Sequence, residues 1–573
     1  LPAIVCAGRL SRGEPADEAS VAADVARLRG PADAPPFWVA AGDAMIDLER
    51  RAAELRAGKG RRTPVPLAKA YRELWKKIHR PGGLEESVQN LAYADAIDYD
   101  NADLQVCAKS QPAGFYPPCR NCGLAAGNPT LRRHVEAIRT ADGKANAEWD
   151  AATSEADVAR LRTRLRADFL KAIGGLPGRT PLNARTTGVV PRAGYRIEKI
   201  VFESQPRHFV TAHLFLPDGV SAGNRAPGLL VPCGHSPDGK LCAKYQRLGV
   251  LAAQAGLVAL VYDPIDQGER WQGKGPCLPV SGHVGVGLRA HLLGWNMARF
   301  RIWDGIRALD CLAARPEVDA SRIGVAGQSG GGTLSTYLYF LDDRLKAAAP
   351  AGFITSMSRL AEHWGPQDCE QIVPGQAPLG LNHTAFLAAR APSPVCLVLA
   401  EQDAFPIDGS DDTLAHLRSL YGRLGHPDRV ARASAPGLHG YREATLRATV
   451  DFMRRWLKDE GPCDFGPEGD NGLSGDPQGF VVPNGRVDAL PGYRSSADLL
   501  REELAAATRA RKPPARALVQ EVTGIDVSVT TVPEEDYSFA GRTAYWTRFH
   551  SPESEIAAFD VWLGTSFVRE RAE

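Results

Sequence analysis

The chain has 573 residues, 44% of them hydrophobic and 24% charged, which is an ordinary globular composition spread over a length that allows several domains. Its 68 basic and 67 acidic residues leave a formal net charge of +1, so the charge indicates neither a nucleic acid nor an anionic membrane as a partner. The sequence holds no run of about 18 apolar residues, so we expect no membrane span.

The first 150 residues predict a mostly helical region without recognisable chemistry. Residues 1–8 fit the remnant of a trimmed signal peptide and fit an arbitrary chain boundary equally well. Cys119 and Cys122 form a single CxxC with Cys107 nearby. A disulfide or loop thiols are the commoner interpretation of such a pattern, and three zinc ligands remain the alternative.

Residues 151–460 predict one α/β domain. It begins with an amphipathic helix over 151–176, because Val158, Leu161, Leu165 and Phe169 recur on one face. Short apolar runs then predict strands at 195–203, 208–216, 227–232, 257–262, 323–326, 347–354, 394–400 and 430–433. Amphipathic stretches between them predict helices at 245–255, 300–314, 333–341, 413–424 and 442–458. This alternation indicates a mostly parallel, doubly wound sheet.

Two segments interrupt or follow this pattern. Roughly 40 residues between 354 and 394 are too long for a plain connection, and we expect an irregular insertion over the C-terminal edge of the sheet. Residues 461–495 are rich in Gly, Pro and Asp and predict a linker. Residues 496–573 predict a small α+β region whose order of elements resembles 158–217, so a truncated repeat and a chance similarity both stay open.

The segment Gly327-Gln-Ser-Gly-Gly331 is the most informative motif in the chain. A strand precedes it and a helix follows it, so G-x-S-x-G stands in the context of a nucleophile elbow of the α/β-hydrolase fold. Gly327 and Gly331 allow the strand and the helix to approach closely. The motif therefore predicts Ser329 as a nucleophile.

In that fold an acid and a histidine follow the serine along the chain, in that order. Asp403 comes just past the strand at 394–400, and His439 lies in a Gly-flanked loop before the last helix, so we predict them as the orienting acid and the base. We interpret the other carboxylates in this region as solvated loop charges: Glu401, Asp408, Asp411 and Asp412. The rival histidines are helical and read as surface residues: His416 and His426.

An oxyanion hole needs backbone N–H groups close to the serine. We predict that Gly330 supplies one of them, and that the loop after strand 227–232 supplies the other from His235 or Ser236. A plain strand-to-helix loop is the alternative interpretation of that segment. Cys233 is adjacent, but no base is arranged for it in this order of residues.

Other features near the predicted site have open interpretations. The loop 263–270 either lines the pocket or is a hydrogen-bonded structural loop. Three tryptophans offer faces for sugar stacking, although core packing is the usual role of this residue: Trp271, Trp295 and Trp364.

Five segments together resemble bacterial acetyl xylan esterase-like α/β-hydrolases, within the dienelactone hydrolase and prolyl oligopeptidase-like superfamily: 232–240, 263–270, 327–333, 380–386 and 439–441. The resemblance covers about 158–460. It implies a serine carboxylesterase with the triad Ser329, Asp403 and His439, often secreted and often acting on decorated plant polysaccharides. It requires no metal or organic cofactor, and it implies a secreted or periplasmic location.

The chain departs from its relatives at three points. It has Gly234-His-Ser236 where the family loop often reads Gly-His-Gly, and Gly330 where prolyl peptidases carry an aromatic residue. No basic residue follows the serine, as glucuronoyl esterases would have. A serine peptidase and a catalytically silent binding module remain the alternative functions.

Overall fold

The computed structural model describes residues 129–510 apart from 273–282, 284–285, 288, 292, 364–367 and 466–467, together with three strands between 532 and 558. Residues 1–128 lie outside the described part, and with them the predicted N-terminal helices and the cysteines at 107, 119 and 122. The chain divides into two units, residues 1–500 and 501–573.

The first unit is built on a nine-stranded sheet of order β1-β2-β3-β5-β4-β6-β7-β8-β9. The strands are Arg185–Arg192, Tyr195–Gln205, His208–Pro217, Ala226–Pro232, Val258–Tyr262, Val318–Gln328, Leu345–Ala351, Val395–Gln402 and Val430–Leu438. The strands β1, β2 and β3 pair antiparallel, and β3 joins β5 antiparallel. From β5 to β9 every pairing is parallel.

Helices cover both faces of this sheet. They are α1 (Pro129–Asp150), α2 (Glu155–Ala172), α3 (Ala243–Gln254), α4 (Met297–Ala313), α5 (Gly330–Leu341), α6 (Met357–His363), α7 (His383–Ala388), α8 (Ile407–Arg423), α9 (Glu443–Lys458) and α10 (Ser496–Ala510). One core cluster unites the sheet with α2, α4, α5, α7 and α8. A second unites its other face with α3 and α9.

The central strands are hydrophobic on both sides because helices cover both faces. Every residue of β3, β4 and β5 is buried. The sequence pattern therefore predicted the sheet correctly, and the strand order and two helical layers are those of the α/β-hydrolase fold.

The helix α2 has the face that its sequence predicts, since Val158, Leu161, Leu165 and Phe169 are all buried. Ser154 caps it by accepting a hydrogen bond from the backbone N–H of Asp157. The Phe169 ring lies 5.0–5.8 Å from those of three aromatic residues of α5 and α7: Tyr337, Phe340 and Phe386.

Three segments differ from their predicted form. Strand β1 was not predicted, because five of its eight residues are exposed and it lacks a continuous apolar run. The insertion between β7 and β8 contains the helices α6 and α7 rather than irregular chain throughout. Residues 477–489 form three short 3₁₀ turns, whose Val481, Val482 and Val487 pack on Val201 and Phe209 of the sheet.

In the second unit the described strands β10 (Val532–Phe539), β11 (Arg542–Ser551) and β12 (Ser554–Ala558) form an antiparallel sheet in that order. Residues 511–531, which belong to the predicted α+β region, lie outside the described residues. Among the helices that the structure describes, none has the length and apolar character needed to cross a membrane.

Candidate active site

Ser329 occupies a sharp turn between β6 and α5. Its backbone has φ of 60° and ψ of −123°, a strained conformation for a residue with a side chain. Its N–H donates to the carbonyl oxygen of Ala351 on β7 at 2.9 Å. A Cβ atom at either Gly327 or Gly331 would lie 2.3 Å from the carbonyl oxygen of Pro232. The glycines are therefore required by close backbone packing, as a nucleophile elbow demands.

Asp403 and His439 meet at the C-terminal ends of β8 and β9. The distance between Asp403 Oδ1 and His439 Nδ1 is 2.7 Å, and both side chains are buried. Asp403 Oδ1 also accepts the N–H of Phe405 at 3.0 Å, which fixes the carboxylate. Because Asp403 accepts a hydrogen bond from the N–H at Nδ1, the Nε2 atom of His439 carries the lone pair that a general base needs.

The Ser329 hydroxyl makes no hydrogen bond to His439 among the described residues. The His439 Nε2 atom instead faces the side-chain Nε2 of Gln328 at 2.8 Å. Gly352 directly follows β7, whose Ala351 carbonyl oxygen accepts the Ser329 N–H. A Cβ added to Gly352 would lie 3.1 Å from His439 Cε1 and 3.3 Å from Asp403 Oδ2. The acid and the base therefore lie next to the C-terminal end of β7. Catalytic hydrogen bonds are often long when no substrate is bound. We therefore expect the hydrogen bond between the serine and the histidine to form when substrate binds.

Of the backbone N–H groups of Gly234, His235 and Ser236 in the loop after β4, two are engaged in hydrogen bonds. The N–H of Gly234 donates to the Tyr245 hydroxyl at 2.6 Å, and that of Ser236 donates to Gln267 Oε1 at 2.6 Å. The N–H of His235 finds no acceptor in the part of the chain that the structure describes. Of the two predicted donors, His235 is therefore the better candidate, beside Gly330, whose N–H begins α5 and has no acceptor within its own helix.

Tyr245 fixes this loop, since its hydroxyl accepts from Gly234 and donates to the Gln328 carbonyl oxygen at 3.2 Å. Replacing Tyr245 by Phe leaves the Gly234 N–H buried without a partner, at a cost of about 1–3 kcal/mol in the free energy of unfolding. We expect kcat on an ester to fall about tenfold with KM nearly unchanged, because the loop then shifts relative to the elbow.

The matched control is Tyr421→Phe, which removes an equally buried hydroxyl that donates to Ser393 O at 2.6 Å, away from this loop. Urea unfolding and steady-state kinetics on both variants separate stability from rate. An equal loss of kcat in the two variants would contradict a specific role for Tyr245.

A basic side chain, Arg301 of α4, lies beside the elbow. A Cβ at Gly330 would be 2.9 Å from Arg301 Nη1 and 2.6 Å from Glu370 Oε1. The guanidinium pairs with Glu370 and donates from Nη2 to the Cys233 carbonyl oxygen at 2.9 Å. Sequence analysis missed this residue because it precedes the serine by a whole helix and strand. Cys233 itself is fully buried, and burial raises the pKa of its thiol well above the usual value, so it is a poor nucleophile.

The loop 263–270 is a structural element. Buried Lys240 contacts Asp263 at 2.7 Å and Glu269 at 2.5 Å, and buried Arg270 contacts Asp304 at 2.7 Å. These paired charges satisfy one another inside the protein, as buried charges must. Of the two interpretations of this loop, the hydrogen-bonded structural one fits the geometry.

Three of the rival carboxylates form ion pairs at the surface, and one of the three tryptophans packs against another aromatic ring. The carboxylates of Asp408 and Asp412 pair with Arg359 at the surface, and Asp411 pairs with Arg432. Trp295 packs against Phe300 and lies under Arg299, while Trp364 is outside the described residues.

One further group of titratable side chains converges beside the elbow: His235, His283, Asp368 and Glu370. Burial alone would lower the pKa of His235, but the charges of Asp368 and Glu370 more than offset it and raise that pKa. Burial would raise the pKa of Asp368, but His283 and His235 hold it well below its usual value. Sequence analysis did not bring these four residues together.

The sheet order, the two helical layers and the strained serine turn at the end of β6 define the chain as an α/β-hydrolase by fold. No protein-family model matches the chain. Over 329 residues, which are 52% of this chain and all of the relative, it is 22% identical to YtaP of Bacillus subtilis (strain 168), provisionally classed as a hydrolase.

Solved structures similar to the chain include several esterases. The methylesterase BT1017 is 21% identical, with a TM-score of 0.48 over 65% of this chain and 81% of its own. An acetyl xylan esterase from Paenibacillus sp. R4 is 20% identical, with a TM-score of 0.35 over 55% of this chain and 99% of its own. A glucuronoyl esterase from Solibacter usitatus is 16% identical, with a TM-score of 0.41 over 51% and 91%. At these scores none of them assigns an activity to this chain.

Proposed function

We propose that the chain is a serine carboxylesterase that works through an acyl-enzyme. Ser329 attacks the ester carbonyl, and His439 accepts the serine proton and then returns it to the leaving alcohol. Asp403 orients His439 and stabilises its protonated form. The N–H groups of Gly330 and His235 hold the negative charge that develops on the carbonyl oxygen. Water then cleaves the acyl-enzyme by the same steps in reverse.

The observation that carries this proposal is the buried 2.7 Å contact between Asp403 and His439 at the sheet edge that also bears the strained Ser329. Backbone strain of this kind costs about 1–3 kcal/mol, and it is found mostly at functional sites, where the surrounding structure holds it in place. The order of the three residues along the chain, Ser, Asp and His, agrees with the order in α/β-hydrolases.

For the substrate we propose a carbohydrate ester, such as an acetylated plant polysaccharide or oligosaccharide. The motif resemblance to acetyl xylan esterases supports this class, and esterases of acetyl xylan and of glucuronoyl groups are among the similar solved structures. The insertion between β7 and β8 reaches over the β4 loop through Asp368 and Glu370, so it stands where it can shape the pocket for the alcohol or the acyl group.

The test is a substrate panel on the purified chain: acetyl to octanoyl esters, acetylated xylo-oligosaccharides, a methyl ester of a uronic acid, and aminoacyl amides. We expect turnover of short acyl esters and of acetylated oligosaccharide, with little on amides. Faster hydrolysis of amides than of acetyl esters would favour the serine peptidase alternative. No turnover and no reaction of Ser329 with a fluorophosphonate would favour a silent binding module.

A further inference from the structure

Four buried side chains from distant parts of the sequence point their donor atoms at one another beside the elbow. His235 follows β4, His283 precedes α4, and Asp368 and Glu370 belong to the insertion between β7 and β8. Their side chains are 5%, 0%, 5% and 0% exposed. Protein interiors rarely gather two imidazoles and two carboxylates unless a cation pairs with them.

Apart from one contact of hydrogen-bond length, between His235 and Asp368, the distances between donor atoms suit a single shared cation. His235 Nε2 lies 3.1 Å from His283 Nδ1, 2.6 Å from Asp368 Oδ2 and 3.7 Å from Glu370 Oε1. His283 Nδ1 lies 3.2 Å from Asp368 Oδ2 and 3.4 Å from Glu370 Oε2. Ligand bonds of about 2.0–2.2 Å in a tetrahedral zinc site separate the ligand atoms by about 3.3 Å.

His283 is held in the tautomer that a metal ligand requires. Its Nε2 lies 3.0 Å from the carbonyl oxygen of Ile265, which can only accept, and 3.3 Å from the amide nitrogen of Gln267; the shorter contact favours the ring proton on Nε2. The lone pair is then on Nδ1, which faces the cluster. A backbone carbonyl that binds the second ring nitrogen is the usual support of a metal-ligating histidine.

Two oxygen atoms of the cluster have no partner. Asp368 Oδ1 and Glu370 Oε1 are buried and make no hydrogen bond in the part of the chain that the structure describes. The other oxygen of Glu370 is paired with Arg301. An unpartnered buried carboxylate oxygen is costly, and a cation coordinated through Glu370 Oε1, which lies 3.7 Å from His235 Nε2, removes that cost for this oxygen.

From this geometry we propose that His235, His283, Asp368 and Glu370 form a binding site for one divalent transition-metal ion, with Zn²⁺ as the best match. The two imidazole nitrogens disfavour Mg²⁺ and Ca²⁺, which prefer oxygen ligands only. The cluster contains two carboxylates, and the guanidinium of Arg301 supplies one positive charge beside them. Its net charge is therefore negative when both histidines are neutral. That charge favours a cation.

The proposed metal site connects the β4 loop with the insertion between β7 and β8, next to the candidate active site. His235 provides a metal ligand with its side chain and the proposed oxyanion donor with its backbone. A Cβ at Gly330, the second proposed donor, would lie 2.9 Å from His235 Cε1 and 2.6 Å from Glu370 Oε1. A metal ion would thus hold the β4 loop and the insertion in one arrangement beside the elbow. This positioning role goes beyond the esterase proposal, and metal binding is measurable without any substrate.

The alternative is an ion-pair network in which a proton on His235 takes the place of the metal. Such a network leaves Glu370 Oε1 without a hydrogen-bond partner, and it predicts no measurable affinity for metal ions. The two accounts therefore differ in a direct binding experiment.

The experiment is a calorimetric titration of the full chain with Zn²⁺ after removal of metals by a chelator, repeated with Co²⁺ to follow its visible absorption. We expect one tightly bound ion per chain and a Co²⁺ spectrum with nitrogen ligands in a four- or five-coordinate site. His283→Asn and Glu370→Gln should each weaken Zn²⁺ binding at least about 100-fold, since even supporting residues of metal sites are worth 10–100-fold.

The control is His416→Ala, which removes a histidine of α8 that pairs with Asp150 outside the cluster and should leave the affinity unchanged. If a ligand variant loses its near-ultraviolet circular dichroism, the titration of the folded wild type decides alone. Absence of Zn²⁺ and Co²⁺ binding by the folded wild type would overturn the proposal. So would wild-type affinity in a folded His283→Asn variant. An inactive protein that binds one Zn²⁺ would leave the metal site standing and contradict the esterase.

Discussion

Ser329→Ala is expected to lower kcat on a short acyl ester at least about 10,000-fold, because no acyl-enzyme can form without the serine oxygen. KM and the unfolding midpoint should change little, since the hydroxyl makes no hydrogen bond among the described residues and the side chain occupies an elbow fixed by its backbone. Burst-phase and steady-state kinetics on the purified variant measure the loss.

The matched control is Ser335→Ala on the same helix. The Ser335 hydroxyl is also buried but donates to the carbonyl oxygen of Gly331 at 2.8 Å, within the helix. Its kcat should stay within about twofold of wild type, as a small change at a well-packed helical position would allow. Activity of Ser329→Ala close to that of Ser335→Ala would exclude Ser329 as the nucleophile.

Asp403→Asn is expected to lower kcat about 10,000-fold while the fold is kept. An amide in place of the carboxylate no longer stabilises the protonated imidazole, and it can stabilise the tautomer with the proton on Nε2, which cannot accept the serine proton. The 2.7 Å contact to His439 and the 3.0 Å contact to the Phe405 N–H keep the side chain in place.

Asp408→Asn tests the same chemical change at a rival carboxylate. Asp408 is 53% exposed and pairs with Arg359, so we expect a kcat near that of wild type. Measuring both variants from acidic to alkaline pH distinguishes a lost base from a shifted optimum. An Asp408→Asn variant as impaired as Asp403→Asn would reject the assignment of the acid.

Much of the fold was predictable because parallel strands that helices cover on both faces consist of continuous apolar runs. The runs at 227–232 and 257–262 became β4 and β5, both buried throughout. The last helix of the α/β domain, α9, has the spacing that amphipathic packing requires, whereas α5, after Ser329, is buried on all sides from Gly330 to Phe340. Strand β1 escaped prediction because it pairs at the sheet edge, where exposed residues break the pattern.

The candidate triad was accessible to sequence analysis for a topological reason. Parallel strands bring their C-terminal ends to one edge, so Ser329, Asp403 and His439, each just past a strand, come near one another whatever the distance along the chain. The choice between His235 and Ser236 as the oxyanion donor was not accessible. It depends on Gln267, whose side chain engages the Ser236 N–H from a different loop.

The cluster of His235, His283, Asp368 and Glu370 could not be predicted either. Its members are separated by 48 and 85 positions, and no short ligand motif links them. Arg301 is a similar case, because only the packing of α4 against the elbow brings it to Gly330. Contacts that arise from an insertion folding back on the sheet leave no periodic signal in the sequence.

The central claim is that Ser329 is an activated nucleophile. Intact-protein mass spectrometry after treatment with a fluorophosphonate, followed by peptide mapping, tests it most directly. We predict a single adduct per chain, located on Ser329, formed slowly or not at all in His439→Ala and Asp403→Asn. Labelling at another residue, or an unlabelled Ser329 in the folded wild type, would contradict the account.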